Sequence, residues 1–308
     1  MHNYGSEELK EIYLPKFLNG EYFATMCLTE AHCGTDLGLI RTKAVPENDD
    51  FRVSGQKIFI TAGEHDLSDN IIHLVLAKLP DAPPGAKGIS LFLIPKILVN
   101  DDGSLGDRNG VTCVSIEEKM GVHGSPTCVL SFDSSVGYLV GEPHKGLEAM
   151  FSMMNNERIA VGMQGLGVAE ISYQNALLYA KDRLQGRDLK GAKKPSEEAD
   201  PLLVHPDIRR MLLRAKALID SSRMLSAWTA LAIDKSVKDP DEKVRKANHD
   251  LVELMTPIIK SILTDYGVEI SSEMLQIFGG HGYIREYGME QFYRDARIAP
   301  IWEGTNGI

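Results

Sequence analysis

A glutamate near the end of the chain, Glu303, has neighbours that suit it to act as a general base. It follows the mostly apolar stretch Ile298–Trp302 and precedes Gly304. We expect its carboxylate to be partly removed from water, and burial disfavours the charged form of a carboxyl group. Its pKa should therefore rise towards the range in which a glutamate accepts a proton in catalysis. On residue types alone, a glutamate in a surface loop is the competing interpretation.

Two segments in the first half of the chain could bind a polar or planar group. The loop Met26–Gly38 is rich in small and hydroxyl residues, so its backbone amides and the hydroxyls of Thr29 and Thr35 could meet an anion or a polar ring edge. Phe59 and Thr61 end a predicted strand, where they could stack on and hydrogen-bond a flat heterocycle. The competing interpretations are a structural turn and a core phenylalanine.

Two glycine-rich segments differ in what they predict. Gly279–Tyr283 has three glycines in its first four positions, which allows either close approach of a ligand or a sharp helix exit. Gly165–Glu170 superficially resembles a dinucleotide-binding fingerprint. No predicted strand precedes it and its final glycine is missing, so we interpret its glycines as helix-packing residues.

The composition narrows the classes of function. The 308 residues carry a net charge of −10, from 43 acids and 33 bases, which argues against a nucleic-acid-binding surface because phosphates require clustered Lys and Arg. The four cysteines form no Cys-x-x-Cys pair, so we expect free thiols and no metal site. No apolar run approaches the roughly 20 residues that span a bilayer, and no targeting segment is visible. We therefore expect a cytoplasmic protein with no membrane partner.

Before about residue 140, the sequence predicts short strands separated by turns such as Asn100–Gly103. Regularly spaced strands without intervening helices favour an antiparallel β-barrel or sandwich. The predicted strands are Phe51–Thr61, Ile71–Lys78, Ile89–Pro95, Val111–Lys119 and Thr127–Phe132.

After about residue 145, the hydrophobic periodicity becomes helical. Leu147, Met150, Phe151 and Met154 recur at the spacing of one helix face, and the pattern continues towards Tyr179. Long helices joined by short loops predict an antiparallel four-helix bundle. The further predicted elements are helices over 206–233, 241–265 and 269–279, an exposed loop over 186–201 and an opening helix over 6–19.

Taken in order, five segments resemble the acyl-CoA dehydrogenase flavoprotein family over essentially the whole chain. They are Cys27–Glu30, Gly55–Lys57, Asn156–Arg158, Gly279–Tyr283 and Arg294–Thr305. Two more, Lys119–Gly124 and Arg183–Arg187, resemble the branch that contains 3-methylmercaptopropionyl-CoA dehydrogenases. The resemblance implies an α+β multidomain fold with a remnant of an N-terminal helical domain over 1–22, a middle β domain over 23–140 and a C-terminal helical bundle over 141–308.

The resemblance also implies roles for individual residues. Glu303 matches the base that removes the α-proton of an acyl thioester, while FAD accepts the β-hydride. The thioester carbonyl would be polarised by the Glu303 amide and by a hydroxyl of the FAD ribityl chain. Arg158, Trp302 and Gly304 match positions at the acyl-CoA site, with a structural ion pair as the competing interpretation for Arg158. FAD contacts, some of them across a dimer interface, are implied for Thr29, Thr35, Phe59, Thr61, Arg183, Gln185, Gln276, Gly279, Gly280 and Thr305.

Some positions depart from the family pattern. Phe59 replaces a common Trp, Trp302 replaces a common Tyr, and Ala31–Thr35 replaces the usual Pro-Gly-Ala-Gly-Ser. These departures leave the pyrophosphate contacts and the acyl-chain preference open. The chain begins in what resembles the last helix before the β domain and ends five residues after Glu303, so the resemblance implies a member shortened at both ends.

The function implied by the resemblance is FAD-dependent α,β-dehydrogenation of an acyl-CoA to the trans-2-enoyl-CoA. The substrate would be 3-methylmercaptopropionyl-CoA or a short-chain acyl-CoA. An electron-transfer flavoprotein would accept the electrons, and the enzyme would be a homodimer or homotetramer. The alternative is a non-catalytic fragment or assembly subunit that pairs with a chain carrying the missing domain.

Overall fold

A computed structural model describes residues 1–100 and 102–307. Asp101, in a predicted turn, and Ile308, at the end of the predicted helical domain, lie outside the described residues. The chain divides into two compact units, one comprising Met1–Lys119 and His123–Met153 and the other Met120–Val122 and Met154–Ile308. We call them the β unit and the helical unit.

The β unit contains the five predicted strands and, among the described residues, four strands that were not predicted. Its elements are helix α1 (Glu7–Leu18), strands β1 (Tyr22–Cys27), β2 (Lys43–Glu47), β3 (Asp50–Thr61), β4 (Asn70–Lys78), β5 (Ile89–Pro95), β6 (Ile97–Val99), β7 (Leu105–Arg108), β8 (Val111–Ile116) and β9 (Thr127–Val140), and the start of helix α2 (Gly146–Asp182). The predicted strands are β3, β4, β5, β8 and a longer β9. All residues of β5 are buried, as expected for a strand whose two faces are both covered.

The main sheet of this unit closes on itself as a barrel. β4 pairs with β5, β5 with β9, β9 with β3 and β3 with β2, all antiparallel, and β2 returns to β4 through Lys43 and Lys78. The barrel core contains Val53, Ile60 and Phe92. The predicted β-barrel or sandwich is thus confirmed. One difference is that β4 pairs parallel with β1 and β2, which local alternation of side chains cannot reveal because it does not specify strand direction.

The helical unit consists of long helices around an apolar core. It contains the remainder of α2 with α3 (Pro206–Lys238), α4 (Glu242–Ile277), α5 (Gly280–Tyr283) and α6 (Met289–Ala296). Proline in the first turn starts α3, and the side chain of Asp241 caps α4 by accepting from the Lys243 amide. None of the helices within the described residues is long and apolar enough to cross a membrane.

The structure corrects one predicted boundary in this unit. The helices expected over 241–265 and 269–279 are a single helix, α4, which continues through Gly267. A Cβ atom at Gly267 would lie 2.9 Å from the Gly165 carbonyl oxygen, and one at Gly165 would lie 2.4 Å from the Leu263 carbonyl oxygen. These glycines allow α2 and α4 to pack closely, which confirms the interpretation of Gly165 as a helix-packing residue. The same interpretation is wrong for Gly167, which is exposed and has no neighbour within 4 Å of a Cβ atom among the described residues outside its own turn of helix. Gly267 therefore marks a helix contact and not a helix end.

Candidate active site

Glu303 lies on an irregular turn that follows α6. The turn is closed by hydrogen bonds from the Trp302 amide to the Ile298 carbonyl (3.2 Å) and from the Asn306 amide to the Pro300 carbonyl (3.0 Å). Glu303 has a φ of +52°. A left-handed conformation is unfavourable by about 1–2 kcal/mol for a residue with a Cβ atom. Non-glycine residues in such conformations cluster at functional sites, where the surrounding structure holds them.

The Glu303 side chain is half-buried and its pKa is raised. Burial is the largest cause, and the nearby negative charge of Glu157 adds to it, whereas the positive charges of Arg158 and Lys260 oppose it. Within the described residues, the carboxylate accepts no hydrogen bond and forms no ion pair. The predicted rise of the Glu303 pKa is therefore confirmed, and the carboxylate is left available to a ligand.

Two cations bind the backbone beside this carboxylate. The Arg158 Nε on α2 donates to the Glu303 carbonyl oxygen at 3.1 Å. The Lys260 Nζ on α4 donates to the Gly304 carbonyl oxygen at 2.6 Å and to the Asn306 Oδ1 at 2.9 Å. The Glu303 amide, in contrast, has no acceptor within the described part of the chain. The turn is thus held through its carbonyl groups while a carboxylate and an adjacent N–H remain free.

The other predicted residues of this turn lie beside Glu303. Trp302 is half-buried, and its indole Nε1 is buried without a hydrogen-bond partner among the described residues. Such an atom is unusual because buried polar groups are nearly always bonded, so it marks a place for a water or ligand acceptor. Gly304 has a φ of +96°, a conformation that favours glycine, and Thr305 is half-buried.

Lys260 and Asn306 were not predicted as site residues. The Asn306 Nδ2 donates to the Thr264 Oγ1 and the Asp265 Oδ1, both at 2.9 Å, which fastens the turn to α4. Thr256, Lys260 and Thr264 are buried at intervals of four residues on this helix. A line of buried polar residues on an otherwise apolar helix face is the sequence signal that could have revealed this attachment.

In the β unit, a buried ion pair supports the loop that carries Thr29. Lys57 is fully buried, and its Nζ donates to the Leu28 carbonyl oxygen and to the Glu30 Oε1, both at 2.9 Å. Glu30 also accepts from the Arg41 amide and from the amide and hydroxyl of Thr42. These bonds occupy a carboxylate that could otherwise ligate a metal ion together with its neighbours His32 and Cys33.

The pKa of Glu30 is lowered to about 2. Burial alone would raise it, but the Lys57 charge and the bonds from Thr42, Arg41 and Lys57 outweigh burial. Glu30 is therefore charged and fully engaged, which suits a structural role. The Glu30–Lys57 ion pair was not predicted from the sequence.

Beside this loop, Phe59 is exposed to 60% and has a φ of +58°. A bulge in the pairing of β3 with β9 between Lys57 and Ile60 accompanies this conformation. The competing interpretation of Phe59 as a core residue is therefore wrong. The Ile58 amide donates to the Thr29 carbonyl oxygen at 2.9 Å, which brings Thr29 next to this strand end. Thr35 and Thr61 are exposed, and an exposed aromatic beside exposed hydroxyls fits a planar heterocycle with polar edges.

The remaining predicted FAD positions lie at another end of the helical unit. Tyr179 links the ends of α2 and α4, because its ring stacks on Phe278 at 4.0 Å and its hydroxyl bonds the His281 Nδ1 at 2.8 Å. Arg183, which follows α2, is about 35 Å along the helix axis from Arg158. The structure therefore does not bring this group together with Glu303. The group comprises Arg183, Gln185, Gln276, Gly279 and Gly280, all of which are exposed.

Comparison with known proteins identifies the family of both units. Residues 25–135 match the acyl-CoA dehydrogenase middle domain, and residues 144–308 match the acyl-CoA dehydrogenase C-terminal domain. A 3-methylmercaptopropionyl-CoA dehydrogenase of Ruegeria pomeroyi is 48% identical over 305 residues, which cover 99% of this chain and 51% of that protein. The chain likewise covers about half the length of two butyryl-CoA dehydrogenases of Syntrophomonas wolfei.

Solved structures agree with this result. The butyryl-CoA dehydrogenase of Megasphaera elsdenii superposes with a TM-score of 0.79 at 30% identity, covering 99% of this chain and 70% of that one. A structure described as the electron transferring flavoprotein of Acidaminococcus fermentans superposes with a TM-score of 0.78 at 27% identity, covering 99% and 71%. On the sequence matches and on the shared fold, the chain belongs to the acyl-CoA dehydrogenase family.

Proposed function

We propose that this chain forms the FAD-binding and acyl-CoA-binding part of a dehydrogenase that converts an acyl-CoA thioester to the trans-2-enoyl-CoA. The observation that carries the proposal is the state of Glu303. Its carboxylate has a raised pKa and no partner within the described residues, while Arg158 and Lys260 bind the successive carbonyl groups of Glu303 and Gly304. A base needs this combination of a fixed backbone and an uncommitted carboxylate.

In the proposed reaction, the Glu303 carboxylate removes the proton from the α-carbon of the thioester. The negative charge that develops on the thioester oxygen requires a donor, and the free N–H of Glu303 supports that role. Bound FAD supplies the two-electron acceptor for the hydride that leaves the β-carbon. Half-burial of Glu303 keeps the carboxylate partly desolvated, which favours its protonated form once the proton has been transferred.

Two groups of residues are proposed to hold FAD. In the β unit, Thr29, Thr35, Phe59 and Thr61 present an aromatic face and hydroxyls that suit the flavin ring and its nearby phosphate. In the helical unit, Thr305 lies beside Glu303, whereas the exposed group around Gly279 is far from it along α2. That separation supports assigning Arg183, Gln185, Gln276, Gly279 and Gly280 to the adenosine end of FAD bound by a second copy, in a homodimer or homotetramer.

The substrate is proposed to be a short acyl-CoA. The relatives named for 3-methylmercaptopropionyl-CoA and butyryl-CoA support this class, and the bulky Trp302 next to Glu303 would limit the room for a longer chain. Arg158 and Gly304 adjoin the same position. An electron-transfer flavoprotein is the proposed electron acceptor, in line with the superposition on the flavoprotein structure of A. fermentans.

The test uses the purified chain reconstituted with FAD and mixed anaerobically with butyryl-CoA or 3-methylmercaptopropionyl-CoA. We expect bleaching of the flavin absorbance, a rate about 10²–10⁴-fold lower in Glu303→Gln with the flavin retained, and an unchanged rate in the control Glu286→Gln. Glu286 is an exposed glutamate of the same unit. A chain that binds no FAD would contradict the proposal and favour the alternative of a non-catalytic fragment. Undiminished bleaching in Glu303→Gln would refute the assignment of the base.

A further inference from the structure

Lys260 is a buried lysine whose side-chain hydrogen bonds, within the described part of the chain, both go to the turn that carries Glu303. Its side chain is 3% exposed, and two of its three N–H donors bond the Gly304 carbonyl and the Asn306 side chain. Asn306 in turn bonds Thr264 and Asp265 on α4, so the lysine and the asparagine form one connected attachment. We call this set, Lys260 and Asn306, the α4 clamp.

Arg158 provides the second attachment from the opposite helix, α2. It bonds the carbonyl of Glu303, whereas Lys260 bonds the carbonyl of the next residue. Cations from two helices therefore bind successive carbonyl groups of a backbone in which Glu303 and Gly304 both have positive φ angles. These carbonyl groups belong to the Glu303–Gly304 and Gly304–Thr305 peptides, so the two bonds fix the backbone at Gly304 and the peptide that leaves the Cα atom of Glu303.

We propose that Lys260, together with Asn306, is a positioning residue that holds the Gly304–Thr305 peptide, and with it the turn that carries Glu303, so that the carboxylate is directed at the substrate. The inference rests on the proposed function, because it assigns Glu303 as the base. It adds that a buried cation on α4 acts on the backbone of the residue after the base and not on the carboxylate of the base. Lysine suits this position because the three donors of its compact ammonium can rotate towards acceptors in different directions, whereas a guanidinium holds its five donors in one plane.

The charge of Lys260 has a second, separable consequence. The charged groups that face Glu303 are Glu157 and Arg158 on α2 and Lys260 on α4, and Asp265 faces Lys260 beside Asn306. The positive charge of Lys260 opposes the rise in the Glu303 pKa caused by burial. Loss of that charge should raise the Glu303 pKa further and move the acid limb of the pH–rate profile to higher pH.

Substitutions of Lys260 and of Asn306 should therefore have different effects on the bleaching rate and on its pH dependence. Lys260→Met removes both the attachment and the charge, whereas Asn306→Ala removes part of the attachment and keeps the charge. We expect both variants to slow flavin bleaching by butyryl-CoA, with a loss of about 10²-fold for Lys260→Met, since small misplacements of a catalytic group have effects of that size. Only Lys260→Met should shift the acid limb upwards. The matched control is Lys246→Met, which removes an exposed lysine of the same helix and should behave as the unsubstituted chain.

A readout independent of the reaction is amide hydrogen exchange of the segment 300–307 in the flavin-free chain. We expect faster exchange in both clamp variants than in Lys246→Met, because the turn loses its attachment to α4. Exchange and bleaching in Lys260→Met that equal those of Lys246→Met would overturn the proposal. If Lys260→Met does not fold, the test rests on Asn306→Ala. Amide exchange of the segment 300–307 in that variant that equals the exchange in Lys246→Met would contradict the clamp.

The failure of this inference can be distinguished from the failure of the proposed function. If butyryl-CoA bleaches the flavin of the unsubstituted chain and every clamp variant behaves as Lys246→Met does, the proposed function stands and the clamp is refuted. A chain that never bleaches contradicts the proposed function, and the exchange rates then decide whether the clamp holds the Glu303 turn.

Discussion

Two glutamates in this protein each lie close to a buried lysine, yet their carboxylates are in opposite states. In the β unit, Lys57 bonds the Glu30 carboxylate directly at 2.9 Å, and the Glu30 pKa is lowered to about 2. In the helical unit, Lys260 bonds the backbone of the Glu303 turn, and the Glu303 pKa is raised because the carboxylate is half-buried and has no partner among the residues that the structure describes.

The difference shows that the target of the lysine, and not its presence, decides what the glutamate can do. A lysine on the carboxylate yields a charged, fully bonded group that fixes a loop. A lysine on the adjacent carbonyl yields a fixed backbone and a carboxylate that remains reactive. The first arrangement stabilises the loop that carries Thr29, and the second supports the proposed base.

The largest expected effect on stability is the loss of the lysine that bonds a carboxylate. Lys57→Met leaves a buried, charged Glu30 without its partner and should lower the free energy of unfolding by about 3–5 kcal/mol. The control Lys145→Met breaks an exposed pair with Glu142 and should change it by less than about 1 kcal/mol. Urea unfolding monitored by circular dichroism measures both variants. Equal changes in the free energy of unfolding of Lys57→Met and Lys145→Met would show that the Glu30–Lys57 ion pair does not stabilise the fold.

The pH dependence of stability should have opposite signs at the two glutamates. Because the folded pKa of Glu30 is lowered to about 2, its contribution is present above its ordinary value of 4.5 and is lost as pH falls from 4.5 towards 2. The raised pKa of Glu303 makes its contribution fall as pH rises through the folded pKa. The difference in unfolding free energy between Glu30→Gln and the unsubstituted chain should therefore shrink on acidification. A difference independent of pH would exclude the lowered pKa of Glu30.

The smallest expected effect concerns Phe59. Like Glu303, this residue has a positive φ, and its side chain is exposed. Phe59→Ala should weaken FAD binding about 2- to 10-fold, since one aromatic contact contributes about 0.5–1.5 kcal/mol. Stability should change by less than about 0.5 kcal/mol because the side chain is exposed. Leu67→Ala, at a more exposed apolar residue of the same unit, is the control. Fluorescence titration with FAD tests this, and equal affinity in both variants would refute a flavin contact at Phe59.

The sequence predicts the elements and the reactive glutamate better than it predicts their supports. Local periodicity located five of the described strands and the starts of the long helices, and the apolar neighbours of Glu303 predicted its raised pKa. Both kinds of inference depend on residues that are adjacent along the chain. They cannot reveal which distant residue forms a bond.

The missed features are accordingly those that depend on long-range pairing. Lys57 precedes the apolar run Ile58–Ile60, and Lys260 shares a helix face with Thr256 and Thr264. Neither local pattern distinguishes a lysine that bonds a carboxylate from one that bonds a carbonyl. The sequence predicts two helices with a break at Gly267, where the structure has the single helix α4. The contact that explains this glycine is with Gly165, about a hundred residues away along the chain, so no local pattern reveals it. The parallel pairing of β1 with β4 is non-local in the same way.

The central claim is that the Glu303 carboxylate is uncommitted and has a raised pKa, in contrast to that of Glu30. Its most direct test is a carbon-13 NMR titration of the glutamate side-chain carboxyls, with the Glu303 signal assigned by its absence in Glu303→Gln. We predict a midpoint for Glu303 above the ordinary value of 4.5. A midpoint at or below 4.5 would contradict the account, because it would mean that the carboxylate is bonded by a cation as Glu30 is.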